Sequence, residues 1–442
     1  MNKFSKFKIY GGKPLHGTIQ PQGTKNEAFQ VMCAALLTTE PVTICNVPDI
    51  LDVHELLILL EILGVKVQKI DQHTYRLHAS DVSIDTIDIE ALKAHGGKLR
   101  ASVLVLGPLV ARLGKAIVPQ PGGDKIGRRR LDTHFIGINK LGATFNYHTQ
   151  QQAYVVEAKG RLQGNFILLD ESSVTGTANI IMAAALAQGK TTIYNAACEP
   201  HIQQLCKMLV KMGARIEGIG SNLLTIDGVE ALCGTEHTIL PDMLEIGSFI
   251  GLAAMTNSHL TIQNAVNTEQ LLEPVLSRFR SLGIKLNITG SDITIPPQSS
   301  YEIQQDINTH RILTLADAVW PGLPSDLLSI LLVTAIQAKG SVLFHQKMYE
   351  SRLFFVDNLI EMGAKLVLCD PHRVHVVGLD RSSPLKGIRM TSPDIRAGIA
   401  LLIAALSAEG KSIIEHVNQI DRGYERIEER LKVLGADIER ID

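Results

Sequence analysis

One short pattern occurs six times along this chain of 442 residues, and it constrains the fold more than any other feature. In each copy an apolar, helix-forming stretch ends in Leu or Met, a glycine follows, and a short strand-like run comes next. Glycine readily takes the left-handed conformation that ends a helix, so each copy predicts a helix end followed by a strand. The glycines, at steps of 70 to 80 residues, are Gly64, Gly142, Gly213, Gly283, Gly363 and Gly435.

A second pattern precedes each of these glycines by about one helix length. It consists of a stretch rich in Ala and Leu, a small or polar turn, and a run of β-branched residues typical of a strand. The stretch from Ala183 to Ile193 shows it most clearly. Each unit is therefore predicted to run helix, strand, helix, strand. The alternative is chance recurrence of common helix and strand boundaries, and six paired matches at near-constant steps argue against it.

The repeats also predict how the chain divides into domains. Apolar helix faces need burial, so three units around a shared core form one domain and six units form two. A length of 442 residues independently favours two domains. The fold class predicted is α/β, with three repeated helix–strand units per domain. The boundary between the third and fourth units is placed near residues 234–241.

Composition excludes several classes of protein. The net charge is −2, with 43 basic and 45 acidic residues, which argues against a general binder of nucleic acid or of membrane surfaces. One Trp and 5% aromatic residues supply few platforms for stacking bases. The first ten residues contain no long apolar core, so no signal peptide is expected. No apolar stretch reaches 18 residues without polar breaks, so no membrane span is expected.

Cysteine and histidine usage indicates neither disulfides nor a metal site. None of the six cysteines forms a C-x-x-C pair, and most lie in apolar runs, as is typical of buried free thiols in a reducing cytosol. The 15 histidines are scattered, with no H-E-x-x-H pattern and no Cys/His cluster. No phosphate-binding G-x-x-x-x-G-K-[ST] loop and no G-x-S-x-G motif is present. We therefore expect a cytoplasmic protein without a metal or cofactor.

The stretch from Pro119 to His134 is the strongest candidate for chemistry. Its prolines and glycines predict a shaped loop that lets the backbone approach a ligand closely. Asp124 is followed by four cations within six residues, and arginine forks suit phosphate or carboxylate oxygens. A lone acid among cations can transfer a proton beside an anionic substrate. For the loop alone, a solvated basic turn is an equally good interpretation. The four cations are Lys125, Arg128, Arg129 and Arg130.

Further candidates lie where predicted helices begin. Lys25 and Asn26 open a helix after the first strand and can present a cation and an amide to an anion, although a simple helix cap is the alternative. Arg100 and Arg396 each open an apolar helix, and ordinary solvated charges are the alternative. Asp326 precedes an apolar helix that it can simply cap.

Two charge clusters remain, 350–352 and 421–426, and solvated surface charge is the usual fate of such runs. Together with the loop and the helix starts, they make the chain resemble the enolpyruvyl transferases over nearly its whole length. The most specific parts are the Gly-Thr-Lys-Asn run 23–26, the loop 121–134, the Pro-Ser-Asp run 324–326 and the Asp-Arg-Gly-Tyr-Glu run 421–425.

The resemblance implies a fold and a reaction. It implies a two-domain inverse α/β barrel-like fold, with residues 24–238 in one domain and residues 1–23 and 239–442 in the other. It also implies transfer of the enolpyruvyl group of phosphoenolpyruvate to the 3′-hydroxyl of UDP-N-acetylglucosamine, with release of phosphate. In the family this is the first committed step of peptidoglycan synthesis, and so of cell-wall biogenesis, cell shape and cell division.

Roles for individual residues follow only from the resemblance. Asp124 matches the acid that protonates the methylene carbon, and Asp326 matches the base that takes the hydroxyl proton. Positions that hold phosphoenolpyruvate match four cations, with Asn26 beside them: Lys25, Arg129, Arg396 and Arg422. Positions associated with the nucleotide sugar match a second set: Arg100, Leu131, Asp132, Ser173, Val174, Met348 and Arg352.

Three positions depart from the family pattern. Many relatives carry Cys where this chain has Asp124, and the absence of a thiol predicts intrinsic resistance to fosfomycin. Met243 stands where relatives often have Arg, and Glu171 stands where some have Lys. The last two affect the expected nucleotide contacts and leave the reaction class unchanged.

Two rival functions are distinguishable. The nearest is the sister enzyme that uses shikimate 3-phosphate, whose Gly-rich signatures are not matched here. The other is a non-catalytic, ring-shaped clamp on nucleic acid, which should carry an excess of basic charge on its repeats. The net charge weighs against a clamp, and a clamp gives no reason for a cation-rich glycine loop in only one of six units.

Overall fold

The computed structural model describes residues 5–124, 126–127, 129–150, 152–266, 269–305 and 311–442. Within these ranges the strands, numbered in chain order, are β1 Lys6–Tyr10, β2 His16–Ile19, β3 Val42–Cys45, β4 Lys66–Lys69, β5 Tyr75–His78, β6 Lys115–Pro119, β7 Ala143–His148, β8 Ala153–Ala158, β9 Phe166–Leu168, β10 Lys190–Tyr194, β11 Arg215–Glu217, β12 Leu223–Asp227, β13 Thr235–Thr238, β14 His259–Ile262, β15 Asn287–Thr289, β16 Asp292–Ile295, β17 Leu313–Ala316, β18 Ser341–His345, β19 Lys365–Asp370, β20 Arg373–Val377, β21 Arg389–Thr391, β22 Lys411–Glu415 and β23 Asp437–Ile441.

The α-helices of the same ranges are α1 Lys25–Ala34, α2 Leu51–Ile62, α3 Ile89–Gly96, α4 Leu106–Leu113, α5 Asp132–Lys140, α6 Val174–Ala185, α7 Pro200–Lys211, α8 Met243–Met255, α9 Glu269–Ser281, α10 Leu328–Ala335, α11 Val356–Glu361, α12 Ile395–Ser407, α13 Asn418–Asp421 and α14 Ile427–Val433. Three 3-10 helices accompany them: Ala35–Leu37, Arg100–Val105 and Ser325–Leu327. Two of these lead directly into α4 and α10.

The chain forms two compact units. Unit 1 contains the described residues up to Gln22, the loop residues Ile126 and Gly127, and the stretch Pro241–Asp442, whereas unit 2 contains Gly23–Asp124 and Arg129–Leu240. Each unit has its own hydrophobic core, the one of unit 1 spanning Phe7 to Ile438 and the one of unit 2 spanning Ala28 to Ile239. The domain bounds 24–238, and 1–23 with 239–442, stay a prediction.

The sheets of unit 1 share one strand order. Among the described residues this unit has three four-stranded sheets, with orders β15-β16-β14-β2, β17-β18-β20-β19 and β21-β22-β1-β23. In each sheet one inner strand, β14, β18 or β22, has a parallel neighbour on one side and an antiparallel neighbour on the other. The parallel neighbours are β2, β17 and β21, respectively. The N-terminal strand β1 lies between β22 and β23 and so completes the sheet of the last repeat.

Unit 2 follows the same plan with one exception. Its described residues form sheets of order β13-β3-β5-β4, β11-β12-β10-β9 and β6-β8-β7. In the first two sheets an inner strand again has a parallel neighbour: β3 pairs with β13, and β10 pairs with β9. The third has three strands, all antiparallel, so β6 is an edge strand. This strand leads straight into the candidate loop.

The repeats confirm the predicted helix ends. All six glycines have left-handed φ values, from 88° at Gly283 to 108° at Gly213. Around Gly213 the amide of Ala214 donates to the carbonyl of Leu209 at 2.9 Å, the long bond of a Schellman motif. A Cβ on Gly213 would meet no atom within 4 Å, so the backbone angle alone requires glycine here.

The predicted strands are found, and each repeat holds further strands that were not predicted. The additional ones are the parallel neighbours and the second strands of the hairpins, all of three to six residues. One predicted strand was wrong in position: the residues directly after Gly283 form no strand, and β15 starts at Asn287. The side chain of Gln298 explains this, because it accepts from Lys285 N at 2.7 Å and donates to Lys285 O at 3.1 Å.

Within each unit, one helix of every repeat is mostly buried. In unit 1 these are α8, α10 and α12, which pack on one another. In unit 2 they are α1, α4 and α6, where α4 packs on α6 and the 3-10 helix Arg100–Val105 contacts both α1 and α6. This arrangement of buried helices and repeated sheets is the α/β class predicted from the sequence. The first turns of α1, α6 and α12 carry four of the candidate residues: Lys25, Asn26, Val174 and Arg396.

Candidate active site

In unit 2 the first candidate residues begin α1. A Cβ on Gly23 would lie 1.8 Å from the carbonyl oxygen of Asn46, so only glycine fits where the chain enters this helix. The Thr24 side chain makes no capping hydrogen bond and donates to Leu240 O at 3.0 Å. Lys25 is therefore placed by backbone packing, and the simple-cap interpretation of this run is not what the structure shows. Asn26 is partly buried beside it.

Lys25 is paired with a carboxylate that the sequence analysis did not identify. Its Nζ lies 2.5 Å from Asp52 Oδ2, and the two side chains are only 9% and 7% exposed. Nζ also lies 5.6 Å from the centre of the Phe29 ring, within cation–π range. The ion pair and the ring contact fix the ammonium in position. Asp52 is in the first turn of α2, with no sequence motif to indicate it.

Arg100 binds the last part of the candidate loop, where the chain re-enters unit 2. The Nη2 of Arg100 donates to the carbonyls of Arg129 at 2.7 Å and Arg130 at 2.9 Å. Before this point, Gly123 has a φ of +102°. Arg100 therefore fixes the loop where it returns to α5, and Asp124 and Arg129 are both partly buried.

Of the loop's four predicted cations, Lys125 and Arg128 lie outside the residues that the structure describes. Arg130 is exposed and pairs with Asp132 at 2.7 Å, as the solvated-turn interpretation expects. For Arg130 alone, that interpretation is correct.

Four predicted residues of unit 2 are brought together where α5 and α6 begin. Thr133 Oγ1 lies 3.2 Å from Asp170 Oδ1 and 3.3 Å from Glu171 Oε1, which ties the start of α5 to the turn before α6. Ser173 caps α6 by accepting from Gly176 N at 3.2 Å. The four predicted residues at these two helix starts are Leu131, Asp132, Ser173 and Val174.

A buried histidine network supports this corner. Burial lowers the pKa of His134 to about 3, with Arg100 adding to the effect, so the imidazole is neutral at physiological pH. Its Nδ1 lies 2.8 Å from the amide nitrogen of Asn179, and its Nε2 lies 3.0 Å from Thr175 Oγ1. The amide can only donate, so Nδ1 accepts and Nε2 carries the proton that Thr175 receives. This fixes α5 on α6.

In unit 1 the predicted base lies between two predicted cations. Asp326 Oδ1 accepts from Arg352 Nη2 at 2.5 Å, and its Oδ2 accepts from Arg396 Nε at 3.2 Å. The arginine side chains are 11% and 6% exposed, against 28% for Asp326. Neither arginine is a solvated charge, and Asp326 bonds to guanidinium groups and caps no helix.

This geometry keeps Asp326 ionised. Burial raises the pKa of Asp326, but the guanidinium groups of Arg352 and Arg396 outweigh burial and hold it well below its usual range. The same contact outweighs the effect of burial on Arg396 and raises the pKa of its guanidinium. Within the described residues, Arg352 Nε has no hydrogen-bond partner. The cluster therefore holds a carboxylate and two cations in fixed positions.

The remaining candidates of unit 1 lie on two other segments. Met348 is 40% exposed on the connection from β18 to α11. The buried Asp317 fixes this connection by accepting from Lys347 N at 2.5 Å, Met348 N at 3.2 Å and Gln346 Nε2. Arg422, on the segment after α13, is partly buried and donates to Gln419 Oε1 at 2.9 Å.

No metal centre is found within the residues that the structure describes, since no group of three or more His, Cys, Asp or Glu is placed to hold an ion. The six cysteines are all free. In the same residues, no helix combines the length and hydrophobicity that crossing a membrane requires.

Comparison with known proteins gives one consistent result. A family model described as EPSP synthase (3-phosphoshikimate 1-carboxyvinyltransferase) matches residues 9–431. The chain is 58% identical over 437 residues to the UDP-N-acetylglucosamine 1-carboxyvinyltransferase of Bacteroides thetaiotaomicron, covering 99% of this chain and 100% of that one. It is 49% identical over 431 residues to the protein of the same name from Treponema denticola, covering 98% of each.

Solved structures agree on the fold. The enolpyruvyl transferase NikO from Streptomyces tendae superimposes with a TM-score of 0.86 at 22% identity, covering 99% of each chain. An EPSP synthase from Acinetobacter baumannii gives a TM-score of 0.76 at 18% identity, covering 99% of this chain and 100% of that one. These likenesses confirm the predicted fold class. The chain is an enzyme and belongs to the EPSP synthase family of 1-carboxyvinyl, or enolpyruvyl, transferases.

Proposed function

We propose that the chain transfers the enolpyruvyl group of phosphoenolpyruvate to the 3′-hydroxyl of UDP-N-acetylglucosamine and releases phosphate. The relatives at 58% and 49% identity bear the name of this activity. The single structural observation that carries the proposal is Asp326, a carboxylate held between two largely buried guanidinium groups. Such a cluster suits a substrate that brings anionic oxygens beside a hydroxyl that must lose its proton.

The chemistry assigns a task to each candidate. Asp124 protonates the methylene carbon of phosphoenolpyruvate, which makes the adjacent carbon electrophilic. Asp326 takes the proton of the 3′-hydroxyl, whose oxygen then attacks that carbon. Loss of a proton from the new methyl group, together with phosphate, restores the double bond and balances the reaction. The proposed acid belongs to unit 2 and the proposed base to unit 1.

The other candidates bind the two substrates in this proposal. Cations neutralise the phosphate and carboxylate of phosphoenolpyruvate, and paired guanidinium donors fix its orientation. These are Lys25, Arg129, Arg396 and Arg422, with Asn26 beside them. The nucleotide sugar is bound by a second set, of which four members lie at the starts of α5 and α6: Arg100, Leu131, Asp132, Ser173, Val174, Met348 and Arg352.

The proposal extends to the cell. Proton transfer and anion binding suffice for the reaction, so no metal or organic cofactor is required. We propose that the enzyme acts in the cytoplasm, where free cysteines persist. There it catalyses the first committed step of peptidoglycan synthesis and so supports the cell wall, cell shape and cell division.

Phosphate release tests the proposal directly. Phosphoenolpyruvate is supplied with UDP-N-acetylglucosamine, with shikimate 3-phosphate or with no acceptor, and phosphate is measured over time. We expect release with the nucleotide sugar alone. Release with shikimate 3-phosphate alone would place the chain with the sister enzyme, and release with neither acceptor would refute both activities.

Asp124 also predicts the response to fosfomycin. A carboxylate cannot form the thioether that a cysteine forms with this epoxide, so the wild-type enzyme should show no time-dependent inactivation. The matched variant Asp124→Cys should become inactivated with time under the same conditions. Mass spectrometry of the protein identifies the covalent adduct. An adduct on the wild-type enzyme would contradict the proposed role of this position.

A further inference from the structure

Arg396 contacts its neighbours on two sides. Its Nε donates to Asp326, and its Nη1 donates to the hydroxyl of Tyr424 at 3.4 Å. The guanidinium carbon also lies 5.8 Å from the centre of the Tyr424 ring. Tyr424 is 1% exposed and, although it lies in the run 421–425, the sequence analysis gave it no role. The arginine is thus held between a carboxylate and a phenol.

The hydrogen bonds around Tyr424 have one consistent direction. Ser248 Oγ lies 2.8 Å from the carbonyl of Leu244, which can only accept, so the serine proton points to that carbonyl. The Tyr424 hydroxyl, 2.9 Å from Ser248 Oγ, must then donate to the serine. Its oxygen remains free to accept from Arg396. The chain Arg396 to Tyr424 to Ser248 to Leu244 fixes one end of the guanidinium to α8.

Both oxygens of Asp326 are occupied in this arrangement. A general base needs an oxygen within hydrogen-bond reach of the proton that it takes. Arg352 bonds one oxygen at 2.5 Å and Arg396 bonds the other at 3.2 Å, so the contact with Arg396 is the longer and weaker one. The guanidinium groups also hold the pKa of Asp326 well below its usual range. A carboxylate in this state is a poor base.

The substrate itself can change this state. Phosphoenolpyruvate carries a phosphate and a carboxylate, and so more negative charge than one aspartate. Its oxygens compete for Arg396, and once they bind the guanidinium they screen its charge from Asp326. The added negative charge beside Asp326 also favours proton uptake by the carboxylate. Tyr424 keeps Arg396 in place while its partner changes.

From this geometry we propose that Tyr424 is a positioning residue for the reaction. It holds Arg396 so that the anion of phosphoenolpyruvate displaces the Arg396–Asp326 contact and frees Asp326 to act as the base. The inference rests on the proposed function and adds an order to it, because the enolpyruvyl donor must bind before the base is competent.

The first test follows the Asp326 carboxylate by carbon-13 NMR of enzyme labelled at the aspartate carboxyl carbons, with Asp326→Asn used to assign the signal. Without ligand, we expect no titration of Asp326 between pH 5 and 8. With saturating phosphoenolpyruvate and no acceptor, we expect a proton to be taken up within that window. Identical curves with and without phosphoenolpyruvate would overturn the inference.

The second test uses Tyr424→Phe, which keeps the ring and removes the hydroxyl. The matched control is Tyr301→Phe, another buried tyrosine of unit 1, whose hydroxyl donates to Thr334 O at 2.7 Å. We expect Tyr424→Phe to raise KM for phosphoenolpyruvate about tenfold, as the loss of one hydrogen bond to a charged group implies. KM for UDP-N-acetylglucosamine should stay within about twofold, and Tyr301→Phe should leave both unchanged.

These outcomes separate the inference from the proposed function. A wild-type enzyme that neither binds phosphoenolpyruvate by calorimetry nor releases phosphate would refute the proposed function, and the inference with it. Normal turnover combined with an unchanged KM for phosphoenolpyruvate in Tyr424→Phe would refute the inference alone. If Tyr424→Phe folds poorly, Ser248→Ala removes the acceptor of the tyrosine hydroxyl and should raise the same KM about twofold to threefold.

Discussion

The middle repeats of the two units differ in how they hold the connection that carries candidate residues. The middle repeat of unit 2 has this connection at 120–131, between β6 and α5, with Ile126 and Gly127 assigned to unit 1; the middle repeat of unit 1 has it at 346–355, between β18 and α11. Both middle repeats also begin their buried helix with a 3-10 segment. In unit 1 the buried carboxylate of Asp317 accepts hydrogen bonds from the start of the connection. In unit 2 the guanidinium of Arg100 donates to carbonyls near its end.

The difference shows how one repeated fold supports two kinds of site. A buried carboxylate with three donors ties connection 346–355 to the stability of its unit, since unfolding must expose every one of those groups. A partly buried guanidinium on two carbonyls contributes less to stability and acts mainly on shape. We infer that unit 1 holds Arg352, the partner of the proposed base Asp326, on a rigid connection, whereas the proposed acid of unit 2, Asp124, lies on a loop that Arg100 shapes.

Removal of the Asp317 carboxylate should have the largest effect on stability. Asp317→Ala leaves Lys347 N, Met348 N and the Gln346 amide without their acceptor, which should lower the free energy of unfolding by about 4 kcal/mol. Asp317→Asn keeps one oxygen acceptor and should lose less. Denaturant unfolding measures both, and hydrogen exchange at Lys347 and Met348 localises the effect. An Asp317→Ala protein as stable as the wild type would remove the contrast between the two connections.

Asp242 adds a pH-dependent contribution to the stability of unit 1. This buried residue caps α8, and burial raises its pKa from 3.8 to about 6, with Glu245 adding to the rise and Arg396 opposing it. Between pH 4 and 6 the unfolded chain loses the proton and the folded chain keeps it. The folded state then binds more protons, so its stability falls as pH rises through this window.

Asp242→Asn should remove this pH-dependent loss of stability, and the Asn side chain can still cap the helix. Relative to wild type, the variant should gain about 3 kcal/mol of unfolding free energy between pH 4 and 7. The exposed Asp437→Asn is the matched control and should show no such gain. Parallel stability curves for Asp242→Asn and wild type would show that the fold does not raise the pKa of Asp242.

Arg100→Lys should have the smallest effect on stability and a clear effect on activity. Lysine keeps the charge but cannot donate from one planar group to two carbonyls, so the unfolding free energy should fall by about 1 kcal/mol. Because the loop changes shape, kcat/KM should fall about tenfold or more. Arg130→Lys, at an exposed position, should change neither quantity. A larger loss of stability in Arg100→Lys than in Asp317→Ala would reverse the comparison.

The repeats were predictable from the sequence because one local feature, the glycine after a helix end, marks each of them. A glycine two residues beyond a helix end has a backbone requirement that does not depend on the rest of the fold, and all six positions meet it. The strands next to these glycines were predictable for the same reason. The second hairpin strands were missed because no such glycine precedes them. The shift of β15 depends on Gln298, a contact that no local pattern encodes.

The candidate site was predictable as a set of residues but not as a set of contacts. Arg352 and Arg396 lie 26 and 70 residues from Asp326, and Tyr424 lies 176 residues from Ser248. Only the stacking of repeats brings such pairs together. The partner of Lys25, Asp52, and the anchor Asp317 have no motif of their own. Their roles depend on burial, which the sequence does not reveal residue by residue.

One measurement tests most directly the claim that the acid comes from unit 2 and the base from unit 1. Phosphate release from phosphoenolpyruvate with UDP-N-acetylglucosamine is compared among wild type, Asp124→Asn and Asp326→Asn, with binding of both substrates checked by calorimetry. We predict that each variant binds both substrates and releases phosphate at least about a hundredfold more slowly. A variant that binds both substrates and turns over at close to the wild-type rate would contradict the role proposed for its carboxylate.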